Sequence, residues 1–174
     1  MEETLPPQTQ HGAGFELTRV RQFTVFLENR VGRLQMLMRA LEEGDRVVAL
    51  AIEESADSAL VRLICAHADT GRDVLRRAGF SFSESEVLAV QLPGRSRQPL
   101  IGVCAALLAA EINIHYMYPL LVRPNDPALA LYVDDPTLAA QLLIRKGFTL
   151  LAESDLMGKD CSEKGEGEEM MNDE

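Results

Sequence analysis

The chain has 174 residues and a formal net charge of -10, with 47% hydrophobic and 25% charged residues. These proportions are ordinary for a soluble globular protein and allow one sizeable core or two small ones. The acidic balance, without a basic stripe, argues against a nucleic acid as the partner. No apolar run approaches the roughly 20 residues that cross a bilayer, and the N-terminus is polar and acidic, unlike a signal peptide. We therefore expect a cytoplasmic protein with no membrane partner.

Both ends of the chain differ in composition from its middle. Residues 1–19 are polar and contain two prolines and two glycines, which predicts a flexible N-terminus. Residues 158–174, "GKDCSEKGEGEEMMNDE", carry two lysines and seven acidic residues, and so account for half of the net charge. This composition predicts an acidic disordered tail.

The first half of the middle predicts the order strand, helix, strand, strand, helix, strand. The stretch "RQFTVF" is rich in β-branched and aromatic residues, which indicates a strand. Apolar residues then recur at helical i, i+3, i+4 and i+7 spacing: Leu34, Leu37, Met38 and Leu41. Gly44 and Gly79 mark helix ends. The predicted strands are 20–27, 46–54, 59–66 and 80–86, and the predicted helices are 33–43 and 69–78.

The second half repeats this order. The stretch "RRAGFSFSES" resembles "IRKGFTLLAES", so that Gly79 matches Gly147 at an offset of 68 residues. A period near 70 residues is long enough for a small domain. The predicted strands are 87–93, 111–119, 128–134 and 148–153, and the predicted helices are 99–109 and 136–146.

The order βαββαβ with right-handed crossovers gives a four-stranded antiparallel sheet with both helices on one face, which is the ferredoxin-like fold. The sequence therefore predicts an α+β protein made of two ferredoxin-like units in tandem, at residues 20–86 and 87–157. No linker separates them, because "FSFSES" runs directly into "EVLAVQLP". We expect the two units to be held close together.

The polar turn in "LENRVGRL" joins the first strand to the first helix and is the first candidate site. Gly32 has no side chain to keep a ligand from the backbone, and the amides that open a helix are unpaired donors beside a positive dipole end. That combination suits a carboxylate. Glycine is also routine in short strand-to-helix connections, so the turn by itself leaves a structural role equally open.

Several chemical functions are disfavoured by the residues present. The three cysteines are far apart and odd in number, and the three histidines have no ligand spacing, so we expect no metal and no cofactor. Asn29, Arg30 and Arg33 are the residue types of an acylphosphatase-like site, but their turn is short and has a single glycine. The strand "SALVRLICA" lacks the aromatics of an RNA-recognition module. We expect no catalytic residue.

The stretch "FLENRVGRLQMLMRALEEGDRVVALAI" resembles the opening of ACT domains. In that family an apolar strand is followed by Asp or Asn, a variable residue, often Pro, then Gly and Leu, and an amphipathic helix. Asn29, Arg30, Val31, Gly32 and Leu34 occupy these positions, with Val31 in place of the usual proline. The resemblance covers about residues 20–157 and is greatest to small proteins made of two ACT domains.

The second copy departs from this pattern. Alignment of the helices at an offset of 66 residues places Gln98 of its loop, "LPGRSRQPLIGV", at the position that matches Gly32, so we expect the first loop to organise the site. The second copy offers "EINIHYMYPLL" instead, where strand periodicity would place Asn113, His115 and Met117 on one face and Ile114, Tyr116 and Tyr118 on the other. Packing is the commoner role for such tyrosines.

The resemblance implies a regulatory protein that binds a free amino acid at an interface between ACT domains and acts on a partner such as an enzyme of amino-acid metabolism. It also implies pairing into a homodimer. The predicted ligand-binding residues are Asn29, Arg30, Val31, Gly32, Arg33, Leu34, Asn113 and Tyr116. A structural module of ACT-like units without a ligand, or a regulatory subunit of a biosynthetic enzyme, is the alternative.

Overall fold

The computed structural model describes residues 18–28, 30–54, 58–94, 97–123 and 126–157. The strands are β1 (Val20–Glu28), β2 (Val47–Glu54), β3 (Ser58–Cys65), β4 (Ser81–Gln91), β5 (Ile114–Arg123), β6 (Asp126–Val133) and β7 (Thr149–Leu151). The helices are α1 (Arg33–Glu42), α2 (Ala68–Arg77), α3 (Pro99–Leu108), α4 (Pro136–Arg145) and α5 (Glu153–Leu156). The predicted flexible N-terminus, apart from its last two residues, and the predicted acidic tail lie outside the described residues.

The seven strands form one sheet in the order β2-β3-β1-β4-β6-β5, and β7 pairs with β4. The first part of β4, up to Val87, pairs with β1, and the second part, from Leu88, pairs with β6 and β7. Each half of the chain thus has the βαββαβ order and a four-stranded antiparallel sheet, which confirms the tandem ferredoxin-like fold. The two strands predicted at 80–86 and 87–93 are one strand, because the chain continues in extended conformation through the repeat junction.

We call the part from β1 to the first part of β4 the first unit, and the part from the second part of β4 to β7 the second unit. Each unit has its own core between helices and sheet. In the first unit, Phe23 and Leu63 of the sheet pack with Leu37 and Leu75 of the helices. In the second unit, alternate strand residues likewise pack against one side of each helix. The buried residues there include Leu88 and Leu131 of the sheet and Val103, Leu107 and Leu143 of the helices.

A third core, which we call the inner core, lies between the two units, on the sheet faces that point away from the helices. Alanines are frequent in it, including Ala49 and Ala89, and they lie among larger side chains such as Val87 and Tyr118. Small side chains let the sheets approach closely, so that β2 and β5, at opposite ends of the strand order, contact each other. The two units therefore share an apolar interior in addition to the strand β4.

Gln22 is the polar residue that is fully buried within this inner core. Its side-chain amide donates hydrogen bonds to the Tyr116 hydroxyl at 2.8 Å and the Ser85 hydroxyl at 3.0 Å, and its oxygen accepts one from the Tyr118 hydroxyl at 2.7 Å. Arg62 lies over the Tyr116 ring, with its guanidinium carbon 4.2 Å from the ring centroid. Burial is tolerated because each polar end of the amide has a partner.

The predicted faces of the stretch "EINIHYMYPLL" are partly wrong. Tyr116 and Tyr118 do share a face, in the inner core. Ile114, however, packs with Met117 against the core of the second unit. The pairing register of β5 shifts between Ile114 and Tyr116, and an irregularity of this kind reverses the side-chain alternation.

Helix α5 was not predicted from the sequence. It forms hydrogen bonds that link the end of the second unit to the first unit. Glu153 accepts two hydrogen bonds from the Arg21 guanidinium, both at 2.8 Å, and one from the Arg21 amide at 2.9 Å. Leu156 is fully buried in the inner core, and its carbonyl accepts a hydrogen bond from Arg46 at 2.6 Å. None of the helices in the described ranges is long and apolar enough to cross a membrane.

Candidate functional site

The turn between β1 and α1 holds its glycine in a left-handed conformation. Gly32 is the N-cap residue of α1, at φ 91° and ψ -16°. Its carbonyl accepts the Met36 amide at 2.9 Å, and the Arg33 amide donates to the Arg30 carbonyl at 3.2 Å. No side chain in the described part of the chain caps the helix. The amides of Leu34 and Gln35, in the first turn, are thus left without an intrahelical acceptor.

The backbone conformation at position 32 favours glycine, because other residues adopt a φ of 91° only with strain. A Cβ atom built on Gly32 would meet no atom within 4 Å, so crowding inside the chain is not the reason for glycine. The space beside the Cα atom is open, as an approaching ligand would need.

A cavity of about 170 Å³, which we call the turn cavity, lies beside this turn. The end of β1, the start of α1, the end of β2 and the start of β3 meet around it. Its walls are formed by Leu27, Glu28, Arg30, Arg33, Leu34, Ile52, Glu54 and Ala59. Half of these residues are apolar and the other half carry two positive and two negative charges, which suits a small zwitterion.

The two arginines of the turn cavity have different surroundings. Arg30 is exposed and forms an ion pair with Glu28 at 3.2 Å. The Arg33 guanidinium lies 5.7 Å from the centroid of the Phe80 ring, and its Nε atom is buried without a hydrogen-bond partner among the described residues. The aromatic contact orients the Arg33 side chain against the protein surface.

Of the other predicted ligand-binding residues, four do not line the turn cavity: Val31, Gly32, Asn113 and Tyr116. Asn29 lies outside the described residues. The Val31 side chain is fully exposed. Asn113 is at the surface, where its backbone N–H donates to the Asp134 carboxylate at 3.1 Å, and Tyr116 lies in the inner core. The structure thus brings together Arg30, Arg33 and Leu34 of the predicted set.

The corresponding turn of the second unit has a different geometry. Gln98, which matches Gly32, is at φ -142° and ψ 64°, and Pro99 is the first residue of α3. The left-handed conformation is therefore absent at this position of the repeat. The expectation that the two loops do not hold a ligand in the same way stays a prediction.

The sequence analysis did not identify four of the residues that line the turn cavity: Glu28, Ile52, Glu54 and Ala59. Glu28 directly precedes the turn, whereas Ile52, Glu54 and Ala59 lie at strand ends that are far from it along the chain. They reach the cavity because β3 pairs with both β1 and β2, which places the end of β2 beside the end of β1. Only the topology of the folded unit reveals this proximity.

A larger and more open hollow of about 600 Å³ lies at the other end of α1. Glu42, Glu43 and Asp45 line it, and its one arginine, Arg46, already donates to the Leu156 carbonyl. Three carboxylates repel an anionic group. This hollow is therefore a poorer candidate for a ligand with a carboxylate than the turn cavity.

The described residues contain no group of three or more side chains that could hold a metal ion. Cys65 is buried, and loss of solvation together with the nearby Asp45 carboxylate raises the pKa of its thiol to about 12. Its thiol is thus protonated at neutral pH and serves packing in the first unit.

The comparisons with known proteins agree with this architecture. The closely superimposing structure of a protein from Bacteroides thetaiotaomicron has 28% identity and a TM-score of 0.72, over 80% of this chain and 96% of that chain. The ligand-free regulatory subunit of aspartate kinase from Thermus thermophilus has 10% identity and a TM-score of 0.51, over 75% of this chain and 93% of that chain. No curated protein matches the sequence. The family model for the ACT domain pair matches residues 18–159, and the chain therefore belongs to the ACT domain pair family.

Proposed function

We propose that this protein is a cytoplasmic regulatory protein without catalytic activity, which binds a free amino acid in the turn cavity. Binding would change its affinity for a partner, and an enzyme of amino-acid metabolism is the proposed partner. The turn cavity carries the proposal, because it lies beside an uncapped helix start and combines an apolar wall with charges of both signs.

The charges of the turn cavity suggest how an amino acid would lie. Its carboxylate would accept hydrogen bonds from the first-turn amides of α1 and face the Arg33 guanidinium, where the helix dipole and the positive charge favour an anion. Its ammonium would face Glu28 and Glu54, and its side chain would contact Leu34 and its apolar neighbours. The contacts predicted for Asn29, Asn113 and Tyr116 stay predictions.

The size of the turn cavity supports a small ligand. About 170 Å³ is below the roughly 300–1,000 Å³ of pockets for drug-sized molecules. A single amino acid is a ligand of suitable scale. Regulation would follow if the bound and free proteins differ in their affinity for the partner, since a ligand acts through such differential affinity.

A thermal-shift screen over the twenty amino acids tests the proposal. A ligand at a hundredfold excess over its dissociation constant should stabilise the protein by about 2.7 kcal/mol. Gly32→Asp should abolish this stabilisation, because it places a competing carboxylate beside the turn. Gln98→Asp, at the matching position of the second unit, is the control and should keep it. The proposal fails if no amino acid raises the melting temperature of the wild type, or if Gly32→Asp responds as the wild type does.

A protein of two ACT units that holds no ligand and serves only to bind other proteins is the second candidate. The exposed apolar side chains of helix α3, such as Leu108, favour it. The same screen separates the two candidates, since this one requires that no amino acid stabilises the protein.

A further inference from the structure

The floor of the turn cavity, which we define as Leu27, Ile52, Glu54 and Ala59, lies on the helix side of the sheet. Leu27 of β1 pairs with Ala59 of β3, and Ala59 pairs with Glu54 of β2. These three residues form one row across the sheet, with Ala59 at its centre. Ile52 lies two residues before Glu54 on β2 and therefore faces the same side.

Ala59 is the smallest of the neighbouring residues on this side of β3. Val61 and Leu63, which follow at alternate positions of the strand, are fully buried in the core of the first unit. Ala59 packs against the same core but stays partly exposed. There is space above the centre of the row because a single methyl group lies where the next two positions have branched side chains.

The repeat provides a matched reference for this row. At an offset of 68 residues, Pro127 matches Ala59. The Leu92 amide donates to the Pro127 carbonyl at 2.7 Å, so Leu92 pairs with Pro127 as Leu27 pairs with Ala59. The fold therefore accepts a residue larger than alanine at the centre of the row, and the small size of Ala59 is not a requirement of the fold.

The charged groups around the floor already have a role in the proposed arrangement of the ligand. The ligand carboxylate would face Arg33 and the first-turn amides of α1, and its ammonium would face Glu28 and Glu54. Arg30 forms an ion pair with Glu28. The other residues that line the described cavity are all apolar: Leu27, Leu34, Ile52 and Ala59.

Two of these apolar residues present carbon surface to water in the ligand-free protein. Leu34 is 37% exposed and Ile52 is 50% exposed. An aliphatic ligand side chain that covers them removes this surface from water, and each methylene buried in this way strengthens binding about fourfold. A polar side chain of the same size loses its water without gaining a hydrogen-bond partner on the apolar part of the floor.

We propose that the turn cavity selects an amino acid with an aliphatic side chain, such as leucine, and that Ala59 limits the length of the side chain that it accepts. The inference rests on the proposed function and names the ligand class of that site. Ala59 is a specificity-determining residue here, distinct from the groups that hold the carboxylate and the ammonium. A longer side chain at position 59 would occupy the space that the ligand side chain needs.

Isothermal titration calorimetry of the full chain with L-leucine and L-asparagine tests the ligand class. Both side chains branch at the same carbon and have similar shapes, but only that of asparagine is polar. L-leucine should bind at least about tenfold more tightly, because the asparagine amide is buried without a partner. L-alanine should bind at least about tenfold more weakly than L-leucine, because it covers less of the floor. A polar, charged or aromatic amino acid that binds as tightly as L-leucine would overturn the proposal.

Ala59→Leu tests the role of the floor. This variant should raise the dissociation constant of L-leucine at least about tenfold and that of L-alanine less than about threefold, because only the longer ligand needs the filled space. Pro127→Leu makes the matching change in the second unit and should leave both constants unchanged.

Ala59→Val makes a smaller change in the same direction, and circular dichroism establishes which variants are folded. It should weaken the binding of L-leucine about threefold or more and leave that of L-alanine nearly unchanged. Equal weakening of both amino acids by either variant would show that Ala59 serves only packing, and it would overturn the assigned role.

The outcomes for the ligand class and for the site are distinguishable. If a polar amino acid binds best and Gly32→Asp abolishes its binding, the turn cavity stands as the site and the aliphatic class fails. If L-leucine binds best and Gly32→Asp has no effect, the turn cavity fails as the site. If no amino acid binds the wild type, both proposals fail.

Discussion

The first unit starts α1 from a left-handed glycine, Gly32, and gives that helix a charged outer side. The second unit starts α3 from Gln98 at φ -142° and gives that helix an apolar outer side. Yet the residues that face the sheet, such as Leu41 and Leu107, are buried to the same extent in both helices. Packing therefore fixes the inward positions of the repeat, whereas the turn and the outward positions are free to serve different functions.

The largest expected effect tests the equivalence of the buried positions. Leu41 is 1% exposed and Leu107 is fully buried, at matching positions of the two helices. Leu41→Ala and Leu107→Ala should each lower the free energy of unfolding by about 3 kcal/mol, through lost burial and an unfilled cavity. Urea denaturation measures both. A difference of more than about 2 kcal/mol between them would show that the two cores do not contribute alike.

A smaller change in stability is expected when the polar contacts of the inner core, between the two units, are removed. Gln22→Leu should lower the free energy of unfolding by about 2 kcal/mol, because the hydroxyls of Tyr116 and Tyr118 lose a buried partner. Ser83→Ala, at an exposed position of β4, is the control and should change it by less than about 0.5 kcal/mol. A neutral Gln22→Leu would mean that the apolar part of the inner core alone holds the units together.

The two turns should differ in their response to alanine. Gly32→Ala should cost about 1 kcal/mol of stability in the absence of ligand, because alanine is strained at φ 91°. Gln98→Ala, at the matching position, should change the stability by less than about 0.5 kcal/mol. The melting temperatures of the ligand-free variants measure this. Equal costs would contradict the different geometry of the two turns.

The smallest effect concerns α5, which only the second unit has. Hydrogen bonds from Arg21 lower the pKa of the Glu153 carboxyl, and the same guanidinium also binds Asp69 at 2.6 Å. Glu153→Gln should cost about 0.5–1 kcal/mol near neutral pH, since the ion pair is partly exposed.

The pH dependence of this effect follows from the lowered pKa. The carboxylate contributes stability above the ordinary glutamate value of 4.5 and loses it as the pH falls through the lowered value. The stabilities of the wild type and Glu153→Gln should therefore converge in acid, in urea titrations at several pH values. A difference that is independent of pH would show that the Arg21 ion pair is not its source.

The elements and the repeat were predictable from the sequence because they rest on local periodicity. Helical spacing in Leu34 to Leu41 and the matching of Gly79 with Gly147 depend on residues close together in the chain, or on a fixed offset. The predicted bounds of all four long helices agree with the structure to within one residue at either end. The position of Gly32 at the start of α1 was also predictable, because the helical spacing begins at Leu34, directly after the polar turn.

The pairing of distant faces was decided only by the tertiary structure. Two strands merged into β4 because the extended conformation continues where the repeat begins again, and no local pattern distinguishes that from a break. The shift in β5 moved Ile114 to the helix side because pairing with β6 overrides strict alternation. Ile52 and Glu54 line the turn cavity because β3 pairs with both β1 and β2 and thereby aligns the ends of those two strands.

The sequence by itself determined that two similar α+β units follow one another and that their first turns differ. The tertiary structure decided which apolar residues are covered. Leu107 and Leu108 are the same residue type and adjacent in the chain, yet one is fully buried and the other is 77% exposed. The physical reason is that hydrophobicity is a property of the side chain, whereas burial depends on which surface the rest of the fold brings against it.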